Sequence, residues 1–136
     1  MRTPTSLRSI GIAIILAFGV SACSESNTTS ATSFQPEVTN ATDNFQFQAT
    51  GLTGVTSTQT YAWRNTGTRA TINHSTSTTA GSVQLSIRDG VGTSVYSKGL
   101  VPSLNEPTAV GTAGTWTIVV TMTSFSGTIN FRAQKL

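Results

Sequence analysis

The chain has 136 residues and few charges: 8 Lys and Arg stand against 5 Asp and Glu, with one histidine and one cysteine. A lone cysteine excludes a disulfide framework and a cysteine-built metal site. The basic residues beyond the leader are scattered singly, which excludes the basic patch or stripe that nucleic-acid binding calls for.

Met1 to Gly11 carries Arg2 and Arg8 and no acidic residue, the basic start of an export signal. Ile10 to Val20 is an uncharged run of 11 residues. A membrane-spanning helix needs about 20, so the run suits the apolar region of a cleaved signal instead. Small residues Ser21 and Ala22 follow, and then Cys23. Val20-Ser21-Ala22-Cys23 resembles, position by position, the lipobox of bacterial lipoprotein precursors.

That resemblance implies a signal peptide over residues 1–22, cleavage before Cys23, and diacylglycerol in thioether linkage on the sulfur. It usually implies a further acyl chain, such as palmitate, on the new N-terminus. Residue 24 is Ser rather than Asp, which in Gram-negative lipoproteins implies forwarding to the outer membrane. The expected location is the bacterial cell envelope, held to the membrane through lipid on Cys23, on the periplasmic or surface side. Two or more acyl chains hold a protein stably where one is marginal. Cleavage removes Arg2 and Arg8 and leaves 6 basic against 5 acidic residues, a net charge near +1.

Residues 23–42 are expected to be the acylated cysteine and a flexible tether. Ser24 to Thr42 is polar and nearly free of apolar side chains, so burial cannot offset its ordering entropy. Its 19 residues reach about 25 Å as a flexible coil. Phe34 and Val38 are the two positions able to dock it on the domain.

A single domain is expected over 43–136. Phe45 and Phe47 alternate with Gln46 and Gln48, the period of a half-buried strand. Gly51 and Gly54 mark a turn. Thr58 to Asn65 forms the next strand, with Tyr61 and Trp63 on one face, and Thr66-Gly67 turns the chain. Arg69 to Ser75 places Ala70, Ile72 and His74 together, and Ser75 to Ala80 reads as a polar loop. Gly81 to Arg88 is the cleanest strand, with Val83, Leu85 and Ile87 on one side. Asp89-Gly90-Val91-Gly92 is a tight turn, and Val95 and Tyr96 lie on the returning strand. Pro102 and Pro107 keep Val101 to Pro107 out of a central strand. Trp116, Ile118, Val120 and Met122 then form one arm of a hairpin. Ser124 to Gly127 is its turn, and Ile129, Phe131 and Ala133 lie on the other arm.

No part of the mature chain has a sustained helical period. Six to nine short strands with turns every 8–12 residues predict an all-β fold, an antiparallel β-sandwich or jelly roll. Leu85, Ile87, Asp89 and Gly92, then Gly114, Trp116 and Ile118, then Ser126-Gly127, resemble the small jelly-roll modules appended to secreted bacterial peptidases. The resemblance spans roughly residues 81–134 and implies a non-catalytic domain.

No catalytic residue is predicted. His74 lacks any evident orienting partner or companion metal ligands. The carboxylates Asp43, Asp89 and Glu106 are far apart, and no Gly-x-Ser-x-Gly elbow, phosphate loop or dinucleotide motif occurs. The candidates for ligand contact are Trp63, as a sugar platform if exposed, and Asp89. A Ca²⁺ site is weighed near Asp89 or Asp43. No cofactor and no metal are expected. The leading expectation is a lipid-anchored, non-enzymatic envelope protein acting through protein contacts. The alternative is a glycan- or peptidoglycan-binding module, with or without Ca²⁺.

Overall fold

The structure, a computed structural model, describes residues 34–136. It contains seven strands: β1 (Glu37–Ala41), β2 (Asn44–Asn65), β3 (Ala70–His74), β4 (Ser77–Arg88), β5 (Ser94–Gly99), β6 (Leu104–Pro107) and β7 (Gly114–Lys135). All pairings are antiparallel. The fold is an antiparallel β-sandwich, as the alternating pattern predicts.

Its frame is a two-stranded ribbon. β2 and β7 are each 22 residues long, and they pair from Asn44 opposite Gln134 to Asn65 opposite Gly114. Midway the register slips three times between Ala49 and Ser57. Gly51, Gly54, Ser124 and Gly127 all have positive φ there. Such bulges bend a ladder without ending it, and here the whole ribbon folds over. Tyr61 returns to within 5.4 Å of Phe45, ring to ring. The Asp43 N–H donates to the Arg64 carbonyl at 2.8 Å, joining the two ends of one strand.

The remaining strands attach to this folded ribbon. The first half of β2 and the second half of β7 carry β1 on one side and β3 and β6 on the other. The second half of β2 and the first half of β7 carry β4 and β5. Two layers result, and their inward residues form one core. Phe131 stacks on Phe45 and Phe47 at 5.8 and 5.3 Å. Trp63 meets Trp116 edge to face at 5.8 Å. Val83, Leu85, Ile87, Ile118 and Val120 are buried between them. Each such side chain contributes about 1.5–3 kcal/mol on burial.

Four sequence expectations change. Gly51–Gly54 and Ser124–Gly127 are corners inside continuous strands, not hairpin turns, because each strand keeps the same partner on both sides of the bend. Ser75 to Ala80 is not a free loop: from Ser77 it is the exposed start of β4, paired with Thr128 and Gly127. The last five residues but one of the expected tether, Glu37 to Ala41, form β1 against Gln48 to Asn44. All five are exposed, so backbone pairing rather than burial orders them. Finally, part of the proline-bracketed segment, Leu104–Pro107, is a short strand rather than loop, and it lies at the sheet edge, so the segment stays out of a central strand as expected.

The corner is tight. Gly81 of β4 has φ 72°, and a Cβ there would strike the carbonyl oxygens of Ser124 and Thr123. Only glycine lets the two backbones pass this closely.

Candidate functional site

Asp89 directly follows β4, where the chain turns toward β5. Its side chain is buried, yet it is fully occupied by the protein's own backbone. Oδ1 accepts the N–H groups of Val91 at 3.1 Å and Thr93 at 2.8 Å, and Oδ2 accepts that of Thr112 at 2.7 Å. The Gly90 N–H adds a bond to the Thr112 carbonyl at 3.1 Å. One carboxylate thus ties the 89–93 turn to the loop that precedes β7. Burial pushes its pKa up, but three backbone donors together hold it below the ordinary value. A Cβ on Gly111 would lie 2.8 Å from Asp89 Cβ, so the loop is drawn in to contact.

The structure turns both expected ligand-contact residues, Asp89 and Trp63, inward. Asp89 turns inward as a loop brace, 4% exposed, with its carboxylate bonded by three backbone N–H groups. Trp63 is fully buried, with its indole N–H donating to the Ala41 carbonyl at 3.0 Å. A sugar platform needs an open ring face, and Trp63 has none: it is buried in the core edge to face with Trp116. Tyr96 is buried as well.

The other carboxylates also brace. Asp43 accepts the Thr66 N–H and hydroxyl, each at 2.7 Å, and pairs with Lys135 at 3.2 Å. Those Thr66 bonds lead in lowering its pKa. Glu106 of β6 takes Lys98 Nζ at 2.7 Å and the Tyr96 hydroxyl at 3.0 Å, both from β5. It staples the free side of one layer to the other. Lys98 and Tyr96 hold Glu106 below its usual range, while burial and Glu106 push the Tyr96 phenol well above its own.

His74 lies beside this staple, at the inward end of β3. It is 2% exposed and neither ring nitrogen has a hydrogen-bond partner. Burial lowers its pKa; the nearby Leu100 carbonyl and Glu106 pull upward, and Lys98 pulls downward. Among the described residues, no group of three or more His, Cys, Asp or Glu is placed to hold a metal ion. Cys23 lies outside the described residues.

The structure does not bring Trp63 and Asp89 to one site. What it brings together, unannounced by any motif, is the loop end around Asp89. Its two tied loops each raise one valine into solvent, Val91 at 71% and Val110 at 70% exposure. The Asp-Gly pair signals the turn in sequence, but its partner loop is 23 residues away and carries no signal of its own. Comparison with protein-family models, curated proteins and solved structures finds no match.

Proposed function

We infer that this protein is a lipid-anchored, non-enzymatic domain of the bacterial cell envelope that works through contacts with another envelope protein. The observation that carries this reading is the lipobox, Val20-Ser21-Ala22-Cys23, after a basic and then apolar leader. The roles of the ionisable groups support it: Asp43, Asp89 and Glu106 are spent on structural hydrogen bonds, and His74 is buried away from solvent. Val91 and Val110, exposed on braced loops, favour a protein contact, since a rigid loop loses little entropy on binding.

The test has two parts. Metabolic labelling with an alkyne fatty acid is expected to label the full chain, and Cys23→Ser is expected to abolish the label and release the protein from membranes. A Cys23→Ser chain that stays membrane-bound overturns the anchor. Specific turnover of any envelope substrate by the purified protein overturns the non-enzymatic reading.

A further inference from the structure

The two outer faces of the sandwich differ in chemistry. On the layer built by the second half of β2, the first half of β7, β4 and β5, outward positions are mostly hydroxyls, with Gln84, Arg88 and Val119 among them. Thr58 lies opposite Thr121, and Ser86 opposite Ser97. Threonine is what strand propensity favours there.

On the other layer the outward positions are primary amides. One cross-strand row runs Gln46, Arg132, Asn73, Asn105 over four strands. Gln48 opposite Asn130 makes the next row, and Gln134 lies beyond Arg132 on β7. Asparagine is depleted in strands, yet Asn73, Asn105 and Asn130 all sit in strand interiors. Local choices that oppose propensity gather where function requires them.

These amides are also unspent. Gln46 accepts a 3.3 Å bond from Arg132, and the other five make no side-chain hydrogen bond among the described residues. Four amides elsewhere do: Asn40 bonds the Ala62 carbonyl, Gln59 bonds Ser57, Asn65 bonds the Arg69 carbonyl and Gln84 bonds Ser97, whereas Asn44, at the start of β2, leaves its Oδ1 unpartnered.

We propose that this amide-lined face binds a neutral, hydroxyl-rich glycan strand laid across β2, β7, β3 and β6. A primary amide offers two donors and a carbonyl acceptor, matching sugar hydroxyls, which both donate and accept. Strands lie about 4.8 Å apart, so a chain crossing them meets a new polar side chain at each step. Arg132 and Glu37, the latter opposite Gln48, put one charge of each sign on the face, so its net charge is near zero and selects no anionic polymer. No aromatic platform takes part; recognition rests on hydrogen bonds. The site is separate from the valine-bearing loops and does not depend on the acylation of Cys23.

The test is co-sedimentation of the full chain, in non-ionic detergent, with insoluble amylose, mannan, xylan and purified peptidoglycan, and with alginate beads as the anionic arm. The expected result is pelleting with at least one of amylose, mannan and xylan; pelleting with peptidoglycan alone, whose stem peptides are charged, would overturn the proposal. Binding is expected to be unchanged by added salt, since a neutral contact is not screened. The variant Gln48→Thr/Asn73→Thr/Asn130→Thr is expected to bind roughly tenfold more weakly or less, while melting no lower than the parent. Thr58→Ala/Thr121→Ala/Ser86→Ala, on the opposite face, is expected to bind as the parent does. If the amide triple unfolds, the single variants Asn73→Thr and Asn130→Thr carry the same comparison. The proposal is overturned by pelleting with no neutral glycan, by binding to alginate alone, or by equal losses on both faces.

Discussion

At the scale of single residues, His74 and Asp89, one buried without a partner and one a brace, each have their own pH window. For His74, burial lowers the folded-state pKa, so the unfolded chain takes up the proton first. Stability is therefore complete above about pH 6.5 and declines as pH falls below it. Urea melts from pH 7.5 to 5 are expected to show this decline, and His74→Phe is expected to flatten it. An unchanged slope in that variant would assign the titration elsewhere. Asp89 has the opposite chemistry but the same sign. Its folded pKa is lowered, so its contribution is present above about pH 3.9 and is lost as pH falls through the folded value. Asp89→Asn turns an N–H group toward N–H donors. It is expected to lower the Tm and to speed amide exchange at Val91, Thr93 and Thr112 together. Exchange that rises at one loop alone would show that the carboxylate does not couple them. Trp63→Ala empties the centre of the core and is expected to cost about 3–5 kcal/mol, read from the denaturation midpoint.

At the scale of elements, the corner of the β2–β7 ribbon decides the architecture. Gly81→Ala places a Cβ against two carbonyl oxygens at φ 72°. It is expected to destabilise by at least about 1 kcal/mol. The same change at Gly92, where a Cβ meets open space, bears only the conformational strain. A Gly81→Ala chain as stable as Gly92→Ala would mean that the corner relaxes freely. The edge strand β1 has a different role. Its five side chains are exposed, but the Ala41 carbonyl is the acceptor for the buried Trp63 N–H, and Asn40 caps the Ala62 carbonyl at 2.8 Å. β1 thus shields one side of the sandwich while burying almost nothing of its own.

At the scale of the whole molecule, the first long strand pairs with the last, and both cross from one layer to the other. Neither layer can form without both strands, so unfolding is expected as one cooperative transition, with Trp fluorescence and far-UV circular dichroism coincident. Two separated transitions would show that the layers are independent. Removal of residues through Thr42 takes away β1 and opens the edge of β2. That truncation is expected to melt earlier and to self-associate in light scattering, because uncovered edges invite pairing between molecules. A monomeric truncation with the parent's Tm would deny β1 its covering role.

The sequence by itself determined the all-β class, the inward faces and most strand positions. Phe45 and Phe47, Val83 to Ile87, and Trp116 to Met122 alternate with a period of two, and side-chain alternation is local information. It also determined that Asp89 belongs to a turn, since Asp-Gly chemistry acts within a few residues. The sequence could not tell a corner from a hairpin. At Gly51–Gly54 and Ser124–Gly127 the same glycines serve either, and the difference lies in which distant strand continues alongside. β1 and the start of β4 escaped notice because they are ordered by backbone pairing, which leaves no apolar signature. Trp63's burial, the loop that Asp89 captures, and the gathering of amides on one outer face were decided only by tertiary structure. Each depends on register between strands remote in the chain, and register is fixed when the ribbon folds, not when the residues are strung together.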